Sequence, residues 1–181
     1  MSHRQAVETR IPLVEEVLSE YENEIGSDFQ GYRNHVYRTI NFCLAQRPLA
    51  NDEREKILIA GCFHDIGIWT ARTFDYIPPS IDAAVLFLES RGLASWIPQV
   101  SSMIGEHHKL REYSSDRLTE TFRRGDLIDL SLGIVRCGVS HSRIRKIRSE
   151  FPNSGFHRGL VRKAGRWIAR HPLNPIPVLK W

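Results

Sequence analysis

A chain of 181 residues with 41% hydrophobic and 25% charged residues has the length and composition of one globular domain with a sizeable core, which excludes fibrous and disordered classes. No apolar run approaches the roughly 18 residues a membrane span needs, and the opening MSHRQAVETR has no apolar stretch to act as a signal peptide, so a cytoplasmic protein with no membrane partner is expected. The net charge of +4 is uneven: residues 1–135 carry 14 Lys+Arg against 20 Asp+Glu, and residues 136–181 carry 11 against Glu150 alone.

Helical periodicity runs through nearly the whole chain. In ETRIPLVEEVLSEYENEI, Ile11, Val14, Leu18 and Tyr21 recur at spacings of three and four, which predicts a first helix closed by Gly26. A second is predicted from about Phe29 to Gln46, with Pro48 beyond it. The third has Asp52 as N-cap, Glu55 as its capping-box partner and the run KILIAGCFHD, ending at Gly67 with His64 and Asp65 in its last turn. TFDYIPPS reads as a loop, after which Ser80 caps a helix through IDAAVLFLES. Further helices are predicted over PQVSSMIGEHH, SDRLTETFRRGDLIDLSLG, SHSRIRKIRSEF and SGFHRGLVRKAGRWIARH, before an extended end, HPLNPIPVLKW. The expected architecture is all-α, a compact single-domain bundle of about seven or eight helices.

The last two predicted helices are basic and amphipathic. They suit a solvated or inter-subunit face, because Phe151, Phe156, Trp167 and Trp181 are spaced as core anchors rather than as a platform for stacked bases. A second copy of the chain is thus a candidate partner, and nucleic acid is not expected. Three widely spaced cysteines, Cys43, Cys62 and Cys137, with no CxxC among them, read as reduced core residues.

The chemistry concentrates on a few residues. His64 and Asp65 stand side by side at the end of an apolar run, where burying a carboxylate costs several kcal/mol unless it is paired or binds a metal. His35 lies in GYRNHVYRTINF with Arg38 on the same helical face; His107 and His108 close a predicted helix; Asp126 and Asp129 share one face of another. Histidines with carboxylates, projecting inward from several helices, suit a first-row divalent metal. Adjacent His107 and His108 diverge by about 100° in a regular helix and reach one site together only at a fraying end.

The order of His35, then His64-Asp65 in HDIG, then a distant Asp in RGDLIDL resembles the HD-domain superfamily of metal-dependent phosphohydrolases, over roughly residues 30 to 135. The resemblance implies one divalent ion (Mn, Co, Ni, Fe or Mg) held by His35, His64, Asp65 and Asp126, with Asp129 as the other choice for the last ligand. Two-metal members carry a further His where Ser80 stands here, so a single ion is expected to dominate; His107 or His108 would serve a second ion or donate a proton to a leaving oxygen. The lysine and the acid that some members have just after the pair are missing from HDIGIW. Asp65 or Asp129 would orient a water, and Arg38, Lys109, Arg123 and Arg124 are the candidate phosphate contacts. The implied activity is hydrolysis of a small phosphate ester such as a nucleotide or phosphorylated metabolite. The alternatives are a small-molecule hydratase or di-iron oxygenase on the same scaffold, or a regulatory module that keeps the metal for structure.

Overall fold

The architecture follows from one helix that is buried nearly all round. The computed structural model describes residues 6–178, and among them are ten α-helical segments and no β-strand. The central helix, α3 (Phe29–Gln46), has the bounds its periodicity predicts. It buries Tyr32, Val36, Tyr37, Ile40, Phe42 and Cys43 together with the polar Asn34, His35, Arg38 and Asn41. Each of these polar side chains has a partner: Asn34 Nδ2 donates to the Pro152 carbonyl at 2.7 Å, and Asn41 Oδ1 accepts from Glu8 N–H at 2.9 Å. A helix buried on all faces must satisfy its polar side chains internally.

Helices α1 (Pro12–Glu20) and α2 (Glu22–Ile25) precede it. The single first helix expected from periodicity breaks at Tyr21, and Ile11 is its extended N-cap rather than a helical residue. Gly26 does end the pair, at φ +60°, which a residue with a Cβ adopts only at a cost.

Helix α4 (Asn51–Phe63) starts earlier than predicted. Arg47 holds the Glu53 carboxylate through two bonds of 2.8 and 2.9 Å, and Glu53 accepts from Ala50 N–H at 3.0 Å, so Ala50 and Glu53 take the capping positions. Asp52 instead pairs with Lys56. The helix also stops earlier, with His64 as C-cap and Asp65 in the turn beyond. Gly67 does not end α4; it opens the short α5 (Gly67–Thr70), where a Cβ would stand 2.5 Å from the Tyr76 carbonyl. Helix α6 (Ile77–Ser90) begins at the prolines, which the first turn tolerates because its N–H groups need no intrahelical partner. Ser80 therefore lies inside α6, where its Oγ accepts from Gly67 N–H at 3.0 Å.

Helix α7 (Ile97–Glu106) packs on α4, α6 and α8. Helix α8 (Arg117–Leu130), capped by Asp116 through Leu118 and Thr119 N–H, lies along α3. The contact is close at Gly125, where a Cβ would meet Cys43 Sγ at 2.4 Å and the Thr39 carbonyl at 3.0 Å. Helix α9 (His141–Glu150), capped by Ser140, closes a small satellite core of Phe42, Ile128, Val139, Ile144 and Ile147. Helix α10 (Phe156–Arg170) touches the body mainly through its first turns, and turns rather than an extended strand follow it. Of the predicted C-terminal anchors, Phe151 and Phe156 are buried, Trp167 is half-buried against His171, and Trp181 lies outside the described residues. Cys43 and Cys62 are buried free thiols, and Cys137 is half-buried. No helix among the described residues is long and apolar enough to cross a membrane.

Two outcomes test this packing. Gly125→Ala should lower the urea midpoint by the equivalent of about 3 kcal/mol, an overpacking cost; an unchanged midpoint would contradict the α3–α8 contact. Glu120 is buried and accepts from Arg123, Arg124 and Tyr113 N–H. Burial pushes its pKa up, but the Arg123 and Tyr113 bonds outweigh that and hold it below the usual 4.5. Its contribution is therefore present above pH 4.5 and lost as pH falls through the lowered folded value. Glu120→Gln should cost about 2 kcal/mol at pH 7, and wild type and variant should converge in acid unfolding at lower pH.

Candidate functional site

Helix ends and two long helices bring six side chains to one buried point. His35 comes from the middle of α3, His64 and Asp65 from the end of α4, His107 and His108 from the end of α7, and Asp126 from α8. His35 Nε2 stands 2.8 Å from His64 Nε2. Asp65 Oδ2 lies 3.5 Å from the first of these nitrogens and 3.6 Å from the second; Asp126 Oδ1 lies at the same two distances. Ligand atoms about 2.1 Å from a shared ion stand about 3.0 Å apart at right angles and about 3.4 Å apart at the tetrahedral angle. The observed spacings fit such a shell.

The tautomers agree with it. His35 Nδ1–H donates to Asp129 Oδ2 at 2.7 Å, and His64 Nδ1–H donates to the Gly61 carbonyl at 2.9 Å. Both Nε2 atoms then present lone pairs to each other, an arrangement that requires a cation or a proton between them. Burial would lower the pKa of His35, but its bonds to Asp129 and Asp65 raise it to about 9. Without a metal, the proton sits there. Burial pushes the Asp65 and Asp126 carboxyls up, yet the surrounding imidazoles outweigh it and keep both ionised, Asp65 well below the usual range.

Asp65 also faces a second group. Its Oδ1 lies 3.5 Å from His107 Nε2, and both atoms are buried with no hydrogen-bond partner among the described residues. His107 Nδ1–H donates to the Ile104 carbonyl at 2.6 Å, which leaves Nε2 as the free ligand atom. Because α7 stops at Glu106, His108 is not carried away from this group: Asp65, His107 and His108 offer donor atoms within 4.8 Å of one another, as do His35, His64 and Asp126. His108 Nδ1 is 4.0 Å from Asp126 Oδ2, and its side chain, 14% exposed, is the most accessible of the six.

Tyr76, which sequence reasoning passed over as part of a loop, belongs to this site. Burial, then the charges of Asp65 and Asp126, push its pKa well above 10, so the phenol stays protonated and donates to His108 Nε2 at 2.6 Å. Burial and the neighbouring His107 lower His108 to about 3. The neutral ring accepts at Nε2 and carries its proton on Nδ1. The signal in the sequence was an aromatic residue just before the Pro-Pro that opens α6. Phe156 was read only as a core anchor, and it stacks on the His35 ring with centroids 4.1 Å apart. Phe122 meets the His64 ring edge-on.

Several expected roles are corrected by the geometry. Asp129 does not face a water position: Arg38 grips it at 2.5 and 2.9 Å and His35 at 2.7 Å, which makes it the residue that orients His35. Arg38 is engaged in that grip and with the Phe151 and Pro152 carbonyls. Arg123 is buried against Glu120 and the Lys109 carbonyl, and Arg124 pairs with Glu120 and Glu112. Lys109 adjoins His108 in the chain and is half-buried. Ser80 is taken by Gly67 N–H, and Tyr76 stands nearer the histidines.

No family model, curated protein or solved structure matches this chain. Functional assignment therefore rests on the geometry of the cluster and on the sequence motifs that build it.

The tautomers are directly measurable. In chelator-treated protein, imidazole ¹⁵N spectra should place the His108 proton on Nδ1 and keep the ring neutral from pH 5 to 8. Tyr76→Phe should shift the His108 Nε2 resonance while leaving His64 unchanged. An Nε2–H signal for His108 would contradict the Tyr76 bond.

Proposed function

We propose that His35, His64, Asp65 and Asp126 hold a divalent metal ion and that the protein is a metal-dependent hydrolase of small phosphate esters. The observation that carries this reading is the 2.8 Å approach of two ring nitrogens, whose partner nitrogens are both engaged in hydrogen bonds, beside two buried carboxylates. Arg38 neutralises Asp129, whereas Asp65 and Asp126 lie against imidazoles, and a divalent cation balances those two charges. Four protein ligands fill a tetrahedral shell but leave two positions in an octahedral one, which favours Mn, Co, Ni, Fe or Mg over zinc. When bound, such an ion supplies Lewis acidity to an oxygen brought against it. The HD-domain resemblance of HDIG and RGDLIDL supports the same ligand set.

The protein's own groups account for the remaining steps. Asp129, fixed by Arg38, holds His35 with Nε2 turned inward. Asp65 Oδ1, buried and unpartnered, accepts a hydrogen bond from an attacking water and orients it. His108 Nδ1–H, at the accessible side of the cluster, donates a hydrogen bond to the leaving oxygen, which takes the proton that Asp65 accepts from the water, and Tyr76 behind Nε2 holds the neutral ring in that tautomer. Phe156 and Phe122 keep bulk water from the histidines. A second reading, addition of water to a small neutral substrate by the same groups, is favoured by one observation: Arg38 and Arg123 are already engaged with carboxylates and carbonyls.

A screen of phosphate esters with Mn²⁺, Co²⁺, Ni²⁺ and Mg²⁺ tests the first reading. Turnover should be abolished by a chelator and by Asp65→Asn in a folded protein, and restored to the chelated wild type by one of these ions. Metal binding without turnover of any ester would move the assignment to the neutral-substrate reading. Asp129→Asn should weaken metal affinity by about 10–100-fold in calorimetric titration. His108→Ala should leave that affinity within a few-fold and lower kcat by about 10²–10⁴-fold; a His108→Ala variant that loses the metal instead would make it a ligand.

A further inference from the structure

We infer that α10 and the turns after it form a docking surface for an anionic lipid membrane, lying on the headgroups without crossing them. The segment separates its side chains into two rows. Phe156 and Leu160 face the body, and Lys163 reaches Asp28 at 2.5 Å with its ammonium 5.3 Å from the Trp69 ring, so one side of α10 is fixed. Val161 and Ile168, seven residues apart and hence on one face, are 73% and 41% exposed. Leu173, wholly exposed, and Ile176, 43% exposed, follow in the turns beyond. Arg158, Arg162, Arg166 and Arg170, all exposed and spaced by four, form a ridge that starts beside this strip and winds away from it to the opposite side of the helix. Arg158 and Arg162 stand roughly 60–100° around the helix from Val161. No acidic residue occurs from 151 to 178.

Aliphatic side chains held in water on one face, flanked by Arg158 and Arg162 and backed by Arg166 and Arg170 on the polar face, match the requirements of an interfacial helix of low overall hydrophobicity. The stems of Arg158 and Arg162 lie beside the apolar strip, and their forks meet lipid phosphates two bonds at a time. Charge decides between occupants. A second copy docking helix to helix would bring two arginine ridges together with no acid on either, which repels. The first 135 residues carry 20 acids against 14 bases, so attraction to an anionic surface is confined to the C-terminal segment and orients the molecule with that segment down. The strip is aliphatic, and none of its residues lines the crevice at Asp28, Trp69 and Phe156 or the cleft at Arg47, Glu112 and Arg117. A flat apolar layer suits it better than an acidic protein groove does. The inference is independent of the proposed hydrolysis.

Sedimentation of the full chain with vesicles tests it. Binding is expected to vesicles of phosphatidylcholine with about 30 mol% phosphatidylserine, with little to phosphatidylcholine alone, and release is expected near 0.5 M salt, where the Debye length falls to about 4 Å. Val161→Asp with Ile168→Asp should weaken binding by roughly tenfold or more. Both positions are exposed, so the thermal midpoint should stay unchanged, and circular dichroism checks it. Failure to bind anionic vesicles overturns the proposal. So does equal binding by the double variant, because the charged ridge alone would then explain it. A dimer seen by light scattering without vesicles and dissolved by the double variant would assign the strip to a second copy.

Discussion

The Asp129 carboxylate, held between Arg38 and His35, is the interaction on which the rest of the structure depends. Both partners come from α3 and sit one helical turn apart, so a single residue of α8 ties the two helices and fixes an imidazole at once. Gly125, one turn earlier on α8, lets the backbones approach closely enough for those bonds to form. The remaining nitrogen of Arg38 carries the constraint further, because it donates to the Phe151 and Pro152 carbonyls and so seats the turn before α10. That turn delivers Phe156 onto the opposite face of the His35 ring. His35 is thus held at one edge by charge and on one face by stacking, with only Nε2 left to face the cluster.

The cluster uses helix ends where a regular helix would fail. Adjacent residues on an α-helix diverge, so neither His64 with Asp65 nor His107 with His108 could converge from a continuous helix. Helices α4 and α7 both stop just before these pairs. The carbonyls of Gly61 and Ile104, which the last turns leave without backbone partners, take the Nδ1–H groups of His64 and His107. The same termination that frees the side chains also sets their tautomers. Gly67 then lets α5 pack against the start of α6, which places Tyr76 beside His108.

Burying this many ionisable groups weakens a domain of this size unless each is compensated. Asp129 is compensated by Arg38, and Glu120 by Arg123 and Arg124, in places where structure alone requires it. Asp65 Oδ1 and His107 Nε2 are buried without any such partner. Thr39 Oγ1 and Arg148 Nη1 are likewise buried without a partner, but only Asp65 and His107 face each other across a group of candidate metal ligands. The net charge is divided along the chain, negative over residues 1–135 and positive over residues 136–181.

The helical class, the bounds of α3 and the residues His35, His64, Asp65 and Asp126 were legible in the sequence. Apolar periodicity is a local property, and a His-Asp pair inside an apolar run is anomalous wherever it occurs. Asp116 and Ser140, which cap α8 and α9, were not among the expected caps. The start of α4 was not legible: Arg47 recruits Glu53 and moves the cap away from Asp52, and no local pattern records which of two acids an arginine will choose. The place of Tyr76 beside His108, the grip of Asp129 on His35, and the engagement of Arg38 and Arg123 with carboxylates and carbonyls were decided by tertiary structure alone. Each depends on which side chain of a distant helix comes within about 3 Å. Sequence spacing sets direction along one helix and says nothing about that distance.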